Sequence, residues 1–226
     1  MARIVEYSPV LATARHTDGI WNAHVATRRL ALERGHDHHR PAGGPAPETI
    51  RGADALILAP VPARPALRLP SDDHRAGRPA AHRILDRIRG QRPDLHIVLV
   101  SHFLVGRGLT RRDDKPYTWG LRALEGRLRD GPNPWTILRP AWLSGRDDPF
   151  HQVCFTQDVR ADGLVTTDGI ARAVLAAIEH PRAAAGRTAT VFNLSIPGAA
   201  PADLPGQLRA LEPDLEATTP WLQAFA

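Results

Sequence analysis

Apolar residues along this chain follow two spacings in turn. Short, nearly continuous runs occur at Arg3 to Tyr7 (RIVEY), Ala53 to Ala59 (ADALILA), His96 to Val100 (HIVLV), Trp135 to Arg139 (WTILR) and Thr190 to Ser195 (TVFNLS). Runs of this kind suit strands covered on both faces of a parallel sheet. Between them the spacing turns helical: Trp21, Val25, Ala26, Leu30; then Ala81, Ile84, Leu85, Ile88; then Leu121, Leu124, Leu128; then Ile170, Val174, Leu175, Ile178; and last Leu204, Leu208, Leu211. Gly35 ends the first helix, and Thr167 or Asp168 stands where the fourth needs a cap. Residues 36–50 (HDHHRPAGGPAPETI) carry neither period and read as loop, so a second strand there is short or absent. Strands alternating with helices predict an α/β chain built on a doubly wound parallel sheet.

A chain of 226 residues fits a single domain, with residues from about 141 onward as its substrate side. No apolar run approaches the ~18 residues that span a bilayer, and no secretory h-region follows the N-terminus. Cys154 is the single cysteine and can make no internal disulfide. A soluble cytoplasmic protein with no membrane partner is therefore expected. The net charge of +5 raises nucleic acid as a partner, but the arginines are scattered singly beside acids, as in RILDRIRG and EGRLRDG. No nucleic-acid binding is expected from such a pattern. His36, His38 and His39 are too close in a loop to converge on one ion, and no metal is expected. The apolar PWLQAF at the C-terminus fits docking on its own domain or on a second copy in a homodimer.

Three stretches together resemble the atypical short-chain dehydrogenase/reductase family, in its branch of NmrA-like NAD(P)-binding proteins and small epimerase-like reductases. They are HIVLVSHFLVGRG (96–108), ALEGRLRDGPNPWTILRPAWLSG (123–145) and DGLVTTDGIARAVLAAIEHP (162–181). The resemblance covers most of residues 1–195 and implies a Rossmann-like fold, shortened here after the first helix. It also implies a Gly-x-x-Gly-x-x-Gly turn for the dinucleotide phosphates. The corresponding segment, SPVLATARHTDGIWNAHV, is longer and has Gly19 alone. Asp18 near the helix start would cap its free N–H groups and repel a phosphate.

The resemblance also places the reacting groups. It puts Ser101 just before the position of the family's catalytic hydroxyl, His102 on it, and Tyr117 on the family tyrosine. Leu121 stands where the family lysine belongs, and Lys115, the only lysine among 29 Lys+Arg, lies before the tyrosine. Without that lysine Tyr117 stays a weak acid, with a pKa near ~10. An imidazole titrates near ~6.5, so His102 is the leading general acid/base, against the plainer role of capping the strand. Arg122 and Arg139 are candidates to steady an anionic oxygen. Trp142, Phe150, His151 and Phe155 are candidates for the substrate wall, and Asp113 or Asp114 for orienting the imidazole.

Three functions follow as expectations. The first is a small-molecule enzyme, of a kind suited to bacterial secondary metabolism, that runs a redox-neutral acid/base step (cyclisation, isomerisation or elimination) without a dinucleotide. The second is an NAD(P)H-dependent reductase with an atypical phosphate loop, in which Arg40 reaches a phosphate and NADP is the cofactor. The third is a non-catalytic sensor.

Overall fold

The computed structural model describes residues 1–8, 10–13, 23–41, 44–63, 77–106, 115–144, 151–195 and 201–214. The chain runs β1 (Arg3–Tyr7), β2 (Val10–Thr13), α1 (Ala23–Glu33), β3 (Asp37–His39), α2 (Pro47–Arg51), β4 (Ala55–Leu58), β5 (Val61–Ala63), α3 (Gly77–Gln91) and β6 (His96–Val100). After a 3-10 turn (Phe103–Val105) come α4 (Lys115–Arg129), β7 (Trp135–Pro140), β8 (Trp142–Leu143), β9 (His151–Thr156), β10 (Leu164–Val165), α5 (Thr167–Glu179), α6 (Pro181–Ala184), β11 (Arg187–Ser195) and α7 (Leu204–Ala210).

Seven strands form one sheet in the order β3-β1-β4-β6-β7-β11-β9, parallel except for the edge strand β9. Alternation along each buried strand feeds two apolar layers. Ile4, Ala55, Ile57, Val98, Leu138, Ala189 and Val191 pack with α1, α5 and α7. Val5, Leu56, Leu58, Ile97, Leu99 and Ile137 pack with α2, α3 and α4. This is the doubly wound, Rossmann-like architecture, and it exists because strands this apolar must be covered on both sides.

Gly35 ends α1 at φ 77, a left-handed conformation that favours glycine, while the amide of His36 bonds the carbonyl of Ala31. The region read as loop after it holds two short elements, the three-residue β3 and the five-residue α2. From β3 the chain crosses through the short α2 to β4 on the other side of β1, so β3 is the sheet edge and the shortening expected after the first helix is real. A cap differs too. Thr166 accepts the amide of Gly169 at 2.9 Å to start α5, while Asp168 turns instead to Arg29 at 2.8 Å.

Past Ser8 and Pro60 the pairing of β1 with β4 resumes as a two-stranded parallel ribbon of β2 and β5, resting against α3 and α4. A strand thus follows β1 where a glycine turn would lead at once into α1. Residues 14–22, with Asp18, Gly19 and Trp21, lie outside the described residues. So does the C-terminal PWLQAF. Among the described residues no helix is long and apolar enough to cross a membrane.

Candidate functional site

In an open doubly wound sheet, ligands settle at the carboxyl edge where the strand order reverses. Here β1 is that point, with β3 on one side and β4 on the other. A narrow crevice lies there, with Ser8 after β1, Ala23, His24 and Thr27 from the start of α1, Arg40 after β3 and Ala59 after β4 on its walls. Ser8, Ala23 and Ala59 have small side chains, which leave the main chain open to close approach.

Beneath the crevice sits a carboxylate that sequence reading passed over. Glu6 is 2% exposed in the middle of an apolar strand. His38 Nε2 reaches its Oε2 at 3.0 Å, Ser8 Oγ reaches Oε1 at 3.5 Å, and Arg40 Nε stands 3.8 Å away. A carboxylate oxygen accepts, so His38 donates Nε2–H to Glu6, while its other ring nitrogen is buried with no partner among the described residues. Arg40 is balanced on one side by Glu6, yet its side chain keeps 35% exposure at the crevice rim. The signal in the sequence was an acid at an inward position of RIVEY, facing the same way as Ile4. His36 goes elsewhere, its Nε2 to Glu179 at 3.0 Å.

The residues aligned with catalytic positions meet different fates. Tyr117 is buried and its hydroxyl donates to the carbonyl of Pro60 at 2.9 Å, in the turn that leads to β5. Leu121, on the lysine position, is fully buried in the core. Ser101 is likewise buried and donates to Glu125 Oε1 at 2.6 Å. Glu125, 1% exposed, gathers Arg139 through Nε at 3.0 Å and Nη2 at 2.6 Å, and Arg129 at 3.3 Å. Arg122 donates to the carbonyl of Val105 at 2.8 Å and ties α4 to the 3-10 turn. The polar groups expected to be catalytic at Tyr117, Ser101 and Arg122 are thus bonded within the fold in this structure. Sequence reading missed Glu125 as the hub, although the stretch containing it was singled out.

His102 is half-buried at the end of β6, tilted on Phe103 with centroids 4.9 Å apart and edge-on to Trp142 at 5.9 Å. Its Nδ1 accepts the amide of Leu104 at 3.2 Å, capping the 3-10 turn. The proton of the neutral ring therefore sits on Nε2. Burial among these rings pushes the imidazole down to about 4, because a charged ring there loses its hydration. The expectation of a group titrating near neutrality is corrected accordingly. His102 stays neutral at physiological pH and offers a fixed Nε2–H donor.

Of the expected substrate wall, only Trp142 stands with His102. Phe155 is partly buried and packs against the α5 and α7 layer, and its backbone amide donates to Gln207 at 3.0 Å. His151 begins β9, paired with Ser195 at the sheet edge. Phe150, Asp113 and Asp114 lie outside the described residues.

No family model matches the chain, and no curated protein matches it either. Solved structures do resemble it. The oxidoreductase ylbE from Lactococcus lactis superposes with a TM-score of 0.65 at 10% identity, over 92% of this chain and 95% of that one. ChuY, an anaerobillin reductase from Escherichia coli, gives 0.57 at 15% identity, over 88% and 100%. A short-chain dehydrogenase/reductase from Veillonella parvula, solved with NADP, gives 0.52 at 11% identity, over 88% and 96%. At such identities the likeness is one of fold: the chain shares the Rossmann-like architecture of these proteins.

Proposed function

We propose that the protein is an NAD(P)H-dependent reductase of a small organic molecule, with NADP as its dinucleotide and a neutral histidine where related sequences carry a hydroxyl. The observation that supports this reading above the others is the crevice at the strand reversal, with Arg40 on its rim. Arg40 follows the second parallel strand, where a guanidinium suits the phosphate on the adenosine ribose of NADP. Ser8, Ala23 and Ala59 fit the group as well, since none projects far into the crevice. When bound, the dinucleotide would supply hydride-transfer chemistry.

The chain itself supplies orientation and a donor. His102, held by Leu104, Phe103 and Trp142, keeps its proton at Nε2 and donates it as a hydrogen bond to a substrate oxygen, polarising that group without changing charge. A ring titrating near 4 is a poor base at neutral pH, which weakens the case for a redox-neutral acid/base step. The likeness to reductases and to an NADP complex points the same way.

One observation favours the dinucleotide-free reading: β2 follows β1 in place of a phosphate-gripping turn. Titration with NADPH, followed by nicotinamide fluorescence, separates the two. Saturable binding that weakens by about tenfold or more in Arg40→Ala is expected, the scale of one charge-assisted phosphate contact. No saturable binding to the wild-type protein leaves the dinucleotide-free reading standing.

A further inference from the structure

The apolar layer formed with α2, α3 and α4 draws residues from β1, β4, β6 and β7 and none from β11 or β9. Beyond β7 that side of the sheet is polar, and a cavity of about 220 Å³ opens over it, with Arg129, Arg139, Thr156, Thr188, Thr190 and Asp214 on its walls. It shares no lining residue with the crevice over β1. Strand register gives it order. Thr190 is the Cα partner of Arg139 on β7 and of Thr156 on β9, so the three stand in one row across adjacent strands, about 4.8 Å apart from strand to strand.

Most polar groups around this row are spent. Arg129 bonds Glu125, Asp214 and Thr188, and Thr188 donates in turn to Asp214. Gln157 exchanges both ends of its amide with the backbone of Glu212. The row keeps three donors. Arg139 commits Nε and Nη2 to Glu125, and its Nη1 has no hydrogen-bond partner among the described residues. Thr190 Oγ1 likewise bonds to none of them, and Thr156 Oγ1 accepts the amide of Asp158 at 3.2 Å, which leaves its own proton to give.

The guanidinium is pinned as well as available. Glu125 holds one edge, and the other passes so close over Gly106 that a Cβ there would lie 2.9 Å from Nη1. Val159, part of the cavity wall, packs beside the same glycine. Glu125 and Asp214 offset Arg139 and Arg129, so the site is nearly neutral and donor-lined.

We infer that the Arg139–Thr190–Thr156 row is a second binding site, for the carboxylate or phosphate of a small molecule. Three donors from three strands stand in one row whose single charged side chain is a guanidinium; the hydroxyls can turn their protons to a ligand, so the row favours an oxyanion over a cationic group. The inference is independent of the nucleotide reading, because the two cavities lie on opposite layers of the sheet.

The test is an NMR titration of the 15N-labelled full chain with inorganic phosphate and, separately, with acetate. Saturable shifts of the Thr156 and Thr190 amides are expected with at least one probe, and which one identifies the ligand class. Thr190→Val and Thr156→Val keep strand-favouring shapes, and each should weaken that binding by about tenfold or more. Arg40→Ala should leave these shifts unchanged, whether or not it loses NADPH. Absence of saturation with both probes, saturation indifferent to the two valines, or shifts confined to Ser8 and Arg40 would overturn the proposal.

Discussion

The carboxyl edge of the sheet is built differently on its two sides. Over β1, β3 and β4, polar side chains border a crevice: Arg40 keeps one face toward solvent, and Ser8 bonds only weakly to Glu6. Around β6, α4 and β7, side chains of the same types are consumed by one another. Ser101 and Arg139 close on Glu125, Tyr117 on Pro60, and Arg122 on Val105. His102 keeps an Nε2–H donor, as a neutral ring, and of the Arg139 guanidinium only Nη1 is left over by Glu125. Matching a motif position thus says what type of side chain is present, whereas its hydrogen-bond partner decides whether that side chain is free to react.

The largest test of this contrast strikes the hub on the consumed side. Glu125→Ala leaves Arg139 without its carboxylate and Ser101 without its acceptor, and should cost about 3–5 kcal/mol in chemical denaturation. A loss near zero would mean that the network is not holding the fold.

Acid comes next. His96 is buried, with Nε2 on Thr136 at 2.9 Å and Nδ1 unpartnered, and burial pushes it down to about 4, as it does His102. Unfolded imidazoles take up protons near ~6.5, so between there and 4 the unfolded chain binds more protons than the folded one. Stability should therefore fall as pH drops through that window and level off below it, with His96 alone contributing on the order of 3 kcal/mol. Denaturation midpoints against pH measure this, and NMR titration of the two rings should give midpoints near 4. A ring of His102 titrating near neutrality would restore it as a general acid/base.

The smallest effect sharpens the difference between the two sides. Tyr117→Phe removes one hydroxyl from the carbonyl of Pro60 and should cost about 1 kcal/mol of stability while leaving NADPH affinity unchanged. A large loss of affinity with normal stability would return Tyr117 to the site.

The five main strands and the helices between them were legible because each carries its own period, and burial on both faces of a parallel sheet writes that period strongly. The elements that were not legible had weak local signals. β2 is four residues long and follows Pro9, β5 holds Pro62, β3 and α2 are three and five residues long, and β9, from which substrate-wall residues were expected, is an edge strand that need be apolar on one face only. The missing family lysine and the lone Gly19 were visible in the sequence, and so was the histidine at the end of β6.

What the chain alone determined, then, was the alternation of strands and helices and the inventory of chemical groups, since both depend on residue identity and short-range spacing. The folded structure decided which of those groups stay available. Glu125 lies 24 residues from Ser101 and 14 from Arg139, and Tyr117 lies 57 from Pro60. Hydrogen bonds over such separations are set by how layers pack, and packing also sets the dielectric that holds His102 neutral.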